Sequence, residues 1–215
     1  MIDLHMHTLF SDGVLLPSEI AYRAKFNGYA AMALTDHVDF SNIDFIIPRI
    51  VKVSKMLSEN YDLLVLPGVE ITYVPPKLIK EAAAECRKLG AKVIVAHGET
   101  TAETVPPETN IYAVEAGIDI LAHPGHITKK EAETAAKNNV KLEITTRKGH
   151  NAANREVASI GLAAGAKLVL NTDTHIPENL LTAELIAKTL AQAGLPPDYY
   201  EIMQKNAREI INGFL

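Results

Sequence analysis

Short apolar runs alternate with longer amphipathic segments along the whole chain, the pattern of repeated strand-helix units around a parallel sheet. The apolar runs predict seven strands, at 1–7, 30–35, 63–67, 91–96, 118–122, 140–145 and 167–172. Between them, apolar positions at helical spacing predict helices from Pro17 to Asn27, Ile46 to Ser58, Pro76 to Leu89, Ile111 to Ala116, Lys129 to Asn138, Ala152 to Ala164 and Ala183 to Ala193. Gly28, Gly90, Gly117 and Gly165 stand where helices should stop. No convincing eighth strand is found, and no stretch reads as a linker.

Polar residues able to bind metal fall at one place in this ladder, the C-terminal end of nearly every strand. His5 and His7 end the first strand, Asp36 and His37 the second, Glu70 follows the third, His97 the fourth and His123 ends the fifth, while Asp173 and His175 follow the seventh. In a barrel of strand-helix units these ends form one rim and carry the active site, whereas an open sheet would spread them along an edge. The predicted fold is therefore α/β, a distorted (β/α)7 TIM-like barrel with a metal site at the C-terminal strand ends. The terminal segment from Gly194 reads as a prolyl turn and an amphipathic helix. Its Tyr199, Ile202, Ile210, Ile211 and Phe214 are expected to cover the barrel's side or base, or to form a dimer contact.

With 215 residues and 47% of them hydrophobic, the chain can bury a substantial core, and one domain spanning 1–215 is expected. The first ten residues lack a basic leader, and no apolar run reaches the roughly 18 residues of a membrane span, so a cytoplasmic protein is expected. The single cysteine, Cys86, excludes an internal disulfide framework. A net charge of −5 argues against long nucleic acids as partners, but leaves room for a local basic patch that holds a small anion.

The motifs sharpen this. In MIDLHMHTLFSDG, from Met1 to Gly13, residues two apart on a strand would lie on one face roughly 7 Å from each other, so Asp3, His5 and His7 are expected to share a wall, with Asp12 returning over the strand end in a tight turn. Later come Thr35-Asp36-His37, Gly68-Val69-Glu70, Ala96-His97, Ala122-His123-Pro124-Gly125 and Asp173-Thr174-His175. Taken singly, each has a plain reading: a capping aspartate, a surface glutamate, a solvated histidine. In this order and register they resemble the PHP (polymerase and histidinol phosphatase) family of metal-dependent phosphoesterases, over Met1 to about Ile176.

The resemblance implies one metal held by His5, His7, Glu70 and Asp173, a second by Glu70, His97 and His123, and a third by Asp12, His37 and His175. Some relatives carry histidine where this chain has Asp12. Two or three divalent ions are thus implied, with Zn, Mn and Fe all suited to imidazole and carboxylate. They imply hydrolysis of a small phosphate ester by attack of a metal-bridging hydroxide, with His5, His7, Glu70 and Asp173 at the reacting centre and His175 on the leaving-group side. Histidinol-phosphate phosphatase is the first reading. A phosphodiesterase or nuclease acting on cyclic or short nucleotides, and a non-catalytic metal-binding structural module, are the alternatives.

The loop after strand six, Thr145 to His150, supplies no ligand in this scheme but is basic. Arg147 offers a planar fork of donors suited to phosphate, and Lys148 or His150 could add charge, although adjacent residues tend to point apart. A solvated basic loop is the competing reading. His126 is expected to face solvent. Loops at Phe40 to Asp44, Tyr73 to Pro76, Gly98 to Thr104 and Arg147 to His150 would set substrate specificity.

Overall fold

The computed structural model describes residues 1–214. Its strands are β1 (Ile2–Asp3), β2 (Ala31–Leu34), β3 (His37–Val38), β4 (Leu64–Ile71), β5 (Val93–His97), β6 (Ile120–Ala122), β7 (Lys141–Thr145) and β8 (Leu168–Asn171). The helices are α1 (Pro17–Phe26), α2 (Ile43–Asn60), α3 (Ile79–Leu89), α4 (Thr109–Val114), α5 (Lys129–Lys137), α6 (Asn154–Ala163), α7 (Ala183–Ala193) and α8 (Tyr199–Asn212). All strand pairings are parallel, in the order β1-β2-β4-β5-β6-β7-β8, with β3 also on β4. Since β2 and β3 both pair with β4, they are two halves of one stave broken at Thr35 and Asp36. Seven staves result, in line with the seven predicted strands.

The break frees two polar side chains to brace the first loop. Thr35 Oγ1 accepts from Met6 N at 2.9 Å, and the Asp36 carboxylate accepts from Thr8 N at 2.8 Å and Ser11 N at 3.1 Å.

The sheet curls into a nearly closed barrel, and its seam is made largely by side chains. Met6 and Thr174 form one parallel bridge, with His7 N donating to Thr174 O at 2.8 Å. Below it, Asn171 Oδ1 accepts from Leu4 N at 2.9 Å. At the bottom, Gln204 of α8 pairs with both backbone groups of Ile2, at 2.7 and 3.0 Å. The predicted strand 1–7 therefore shortens to β1, because after Asp3 the N–H groups of Leu4 and His7 bond across the seam while those of His5 and Met6 bond to the side chains of Asp3 and Thr35, which leaves no continuous ladder. The common face expected for Asp3, His5 and His7 is lost with it. Asp3 instead accepts from Thr172 N, Thr172 Oγ1 and His5 N.

Alternating positions sort into two buried layers, as the period of a strand requires. Ile2, Leu4, Ala31, Ala33, Leu66, Val93, Val95, Ile120, Ala122 and Val169 form an inner cluster, closed from below by Ala207, Ile210 and Ile211 of α8. Met32, Leu34, Val65, Ile94, Leu121, Leu142 and Leu170 pack outward with the helices. Of the residues expected to cover the side or base, Ile210 and Ile211 close the base, Phe214 packs against the inner cluster and Tyr199 against the outer one, but Ile202 is exposed. Leu215 lies outside the described residues.

Among the other boundaries that differ, two bear on the site. α2 begins at Ile43 rather than Ile46, because Asp39 and Asn42 supply a turn that starts the helix before Pro48. β4 runs on to Ile71, so that Glu70 stands inside a strand. Among the described residues, no helix is long and apolar enough to cross a membrane.

Candidate metal centre

The inward parity that buries Leu66 and Val95 at mid-barrel carries, two or four residues on, to Glu70 and His97 at the C-terminal rim. His37 joins them from β3, and His5, His7, His123 and His175 from loops. Glu70 is wholly buried at the centre: its Oε2 lies 2.9 Å from His37 Nδ1, 3.3 Å from His5 Nε2 and 3.4 Å from His7 Nε2, and its Oε1 3.6 Å from His123 Nε2. Asp173 Oδ1 lies 3.1 Å from His7 Nε2 and 3.7 Å from His5 Nε2. Asp12 Oδ2 lies 3.1 Å from His175 Nε2, and its Oδ1 3.6 Å from His37 Nε2.

Ligand atoms within 4.8 Å of one another form the groups His5/His7/Asp173, Glu70/His97/His123 and His7/Asp12/His37/His175. All nine residues named from the sequence as possible ligands thus meet in one place. The geometry adds His7 to the group containing Asp12.

Two of these residues reach the centre through strained backbone. His123 has φ of 26° and Asp173 of 52°, in the left-handed region that residues with a β-carbon enter at a cost of order 1–3 kcal/mol. At His123 the turn swings the ring inward from a position whose strand parity would send it outward. The room comes from Gly98 and Gly125: a β-carbon at Gly98 would fall 2.3 Å from Ala122 O, and one at Gly125 1.9 Å from Glu99 O.

Three of the rings share an orientation. His5, His97 and His175 each turn Nδ1 to an oxygen, at Glu143 Oε1 (2.8 Å), Gly98 O (3.1 Å) and Asp173 O (2.9 Å). This hydrogen bonding assigns the Nδ1–H tautomer and leaves the Nε2 lone pairs facing inward, as metal-binding imidazoles require.

Electrostatically the site is in conflict without cations. Burial opposes protonation of His5, yet the carboxylates of Glu143, Glu70 and Asp173 outweigh it and hold its pKa well above the usual histidine value. At His37 the same contest, with Glu70 as the main attraction, ends at about 8. Burial and neighbouring imidazoles push His7 and His123 well below the ordinary value. Burial is the largest influence on both carboxylates: it raises Asp173 to about 7, but at Glu70 the charges of His5 and His37 overcome it and hold the acid well below its usual range.

The donor set fits divalent metal. Both oxygens of Glu70 are buried without a hydrogen-bond partner, since the nearest ring nitrogen, His37 Nδ1, bonds Thr72 Oγ1 at 2.6 Å, and His123 Nδ1 is unpartnered too. Buried polar atoms are almost always satisfied, and an ionised carboxylate inside a barrel calls for a cation. Imidazole nitrogens and carboxylate oxygens in these proportions suit zinc, manganese or iron.

Above the cluster opens a cavity of about 510 Å³, lined among others by Asp39, Ser41, Asn42, Thr72, Tyr73, Arg147 and His150. Arg147 lies 3.9 Å from Asp173 Oδ2 and donates to Asn179 Oδ1 at 3.3 Å. Lys148 is exposed and does not line the cavity. His126 is exposed and paired with Glu156 at 2.8 Å.

Two carboxylates escaped the sequence reading. Glu103, on the loop after β5, accepts from Tyr73 OH at 2.9 Å and lies 3.4 Å from His97 Nε2 and 3.5 Å from His150 Nε2; an acidic residue in a polar loop leaves no signal. Glu143 did leave one, since it is an ionisable residue at an interior position of the apolar strand KLEIT.

A family model described as "PHP domain" matches residues 3–214. The uncharacterized protein MJ1295 of Methanocaldococcus jannaschii is 45% identical over 195 residues, covering 90% of this chain and 89% of that one. A probable phosphatase of Shewanella frigidimarina is 28% identical, over 91% and 86% of the two chains. Among solved structures, a chain of archaeal ribonuclease P with mature tRNA superposes with a TM-score of 0.73 at 20% identity, over 99% of this chain and 90% of that one. Histidinol phosphate phosphatase of Lactococcus lactis, complexed with zinc, L-histidinol and phosphate, does so with 0.61 at 16% identity, over 95% and 93%.

Proposed function

The chain belongs to the PHP domain family and is a metal-dependent phosphoesterase; we propose that residues 1–215 form one such domain, that its substrate is a small phosphate monoester, and that its reaction resembles that of histidinol-phosphate phosphatase. The observation that carries this reading is Glu70, a buried carboxylate with two unpartnered oxygens among four imidazoles brought in from three other staves.

In this reading His5, His7 and Asp173 hold one ion, His97 and His123 a second, and Asp12, His37 and His175 a third, with Glu70 common to the first two. Bound divalent ions supply Lewis acidity toward a phosphoryl oxygen and lower the pKa of water toward ~7. The chain's own residues do the rest. The Arg147 fork presents donors to phosphoryl oxygens from the cavity wall, with His150 beside it. His175, its Nδ1 tied to Asp173 O, lies on the leaving-group side. Thr72, Tyr73, Ser41 and Asn42 line the space for the organic half, which at about 510 Å³ suits a metabolite-sized group.

Protein loaded separately with Zn²⁺, Mn²⁺ or Fe²⁺ should release inorganic phosphate from histidinol phosphate or another monoester, and release none when stripped of metal. His5→Ala and Glu70→Ala should each lower turnover by more than ~100-fold with circular dichroism unchanged. Retained turnover in either folded variant overturns the proposal. Shortening of an oligonucleotide, weakened by salt, would assign a nuclease instead, and metal binding without turnover on any ester a non-catalytic module.

A further inference from the structure

Glu143, wholly buried on β7, sits beneath the cluster and receives three N–H groups from three other parts of the barrel wall. Its Oε1 lies 2.8 Å from His5 Nδ1 and accepts from Asn171 Nδ2 at 2.9 Å, and its Oε2 accepts from the His123 backbone N at 3.2 Å. Asn171 passes the connection on, since its Oδ1 accepts from Leu4 N across the seam.

Glu143, His5 and His123 bring ligand atoms close enough to hold an ion. The hydrogen bonding argues for a different duty. Both carboxylate oxygens already act as acceptors, and His5 turns toward Glu143 the ring nitrogen opposite the one that faces Glu70.

We propose that Glu143 is a positioning residue shared by two metal groups. Through His5 Nδ1 it fixes the tautomer and direction of a ligand in the group with His7 and Asp173. Through the His123 N–H it holds the strained backbone that aims a ligand into the group with Glu70 and His97. One carboxylate thereby ties the two groups together, so that a change at 143 is felt at both. This rests on the metal-centre reading and is independent of which ester is hydrolysed.

The pairing of acceptors makes the test specific. A carboxylate accepts at both ends, whereas an amide accepts at one and donates at the other. In Glu143→Gln the oxygen can still serve His5 and Asn171, while the amide NH2 opposes the His123 N–H. The amide change should therefore weaken chiefly the group with His97 and His123, and Glu143→Ala should weaken both.

The measurement is Zn²⁺ stoichiometry and affinity by chelator competition, together with ¹H–¹⁵N spectra of the histidine rings in the Zn²⁺-loaded protein. A loss of about 10–100-fold is expected at one class of zinc site in Glu143→Gln and at two in Glu143→Ala, the scale seen for residues that orient metal ligands. The unsubstituted protein should show His5 protonated at Nδ1. Affinities within about twofold of the parent in the folded Glu143→Gln protein would overturn the proposal. So would a His5 ring protonated at Nε2 in the parent, a result that needs no variant to fold. Falling zinc affinities in a protein that hydrolyses no phosphate ester support this role while refuting the proposed substrate. Turnover with unchanged affinities refutes the role alone.

Discussion

At the scale of the single residue, the site is a contest between burial and charge, and Glu70 decides it. Without cations its charge is balanced by protons on His5 and His37, whose pKa values it helps to raise, the latter to about 8. A raised histidine contributes stability that is complete below its unfolded value of about 6.5 and is lost as pH rises through the folded value. His7 and His123, pushed down by burial, do the reverse: their contribution is complete above about 6.5 and is lost as pH falls through their folded values. Metal takes only unprotonated imidazole, so loading must expel the protons on His5 and His37. Zinc binding near pH 7 should therefore release protons, and affinity should rise with pH through about 8, where His37 titrates, and on as His5 loses its proton. Calorimetry in buffers of different ionisation enthalpy measures the release. A value of zero would mean that these two rings are not ligands, or are not charged beforehand.

At the scale of the element, strands place residues by parity and strand ends break it. Glu70 and His97 obey parity, and a strand-end rule was enough to find them. His123 and Asp173 reach the centre only through left-handed backbone, which their sequence neighbours permit but do not announce. Asp3 shows the opposite failure, since period-two spacing put it beside His5 while the seam took it to Thr172. The terminal helix was legible as amphipathic, but not its role as the plug of the barrel floor. Ile211 joins the inner cluster from α8 and is 4% exposed. Ile211→Ala should accordingly cost about 2–5 kcal/mol, seen as a lower urea midpoint with an unchanged m-value. A loss below ~1 kcal/mol would show that the floor is closed without it.

At the scale of the molecule, nine candidate ligands from six of the seven staves make metal binding and folding one equilibrium. The nine are buried or nearly so, Asp12 alone being exposed. An ion that binds only the folded chain adds about 2.7 kcal/mol when its free concentration is 100 times Kd. For a chain of this size that is a rise in Tm of about 5–11 °C over chelator-treated protein, read by differential scanning calorimetry. An unchanged Tm would show that the cluster holds no ion in the folded state.

The sequence by itself determined the repeating strand-helix ladder, the seven staves, the rim on which ligands stand and the types of atom they offer, because period and strand ends are written in neighbouring residues. Only the tertiary structure decided that Glu70 touches four rings, that Glu143 reaches both His5 and His123, that Lys148 stands outside the cavity and that Asn171 and Gln204 close the seam. Those are contacts between residues up to 202 positions apart. Their partners are selected by how the barrel closes, and no local pattern carries that information.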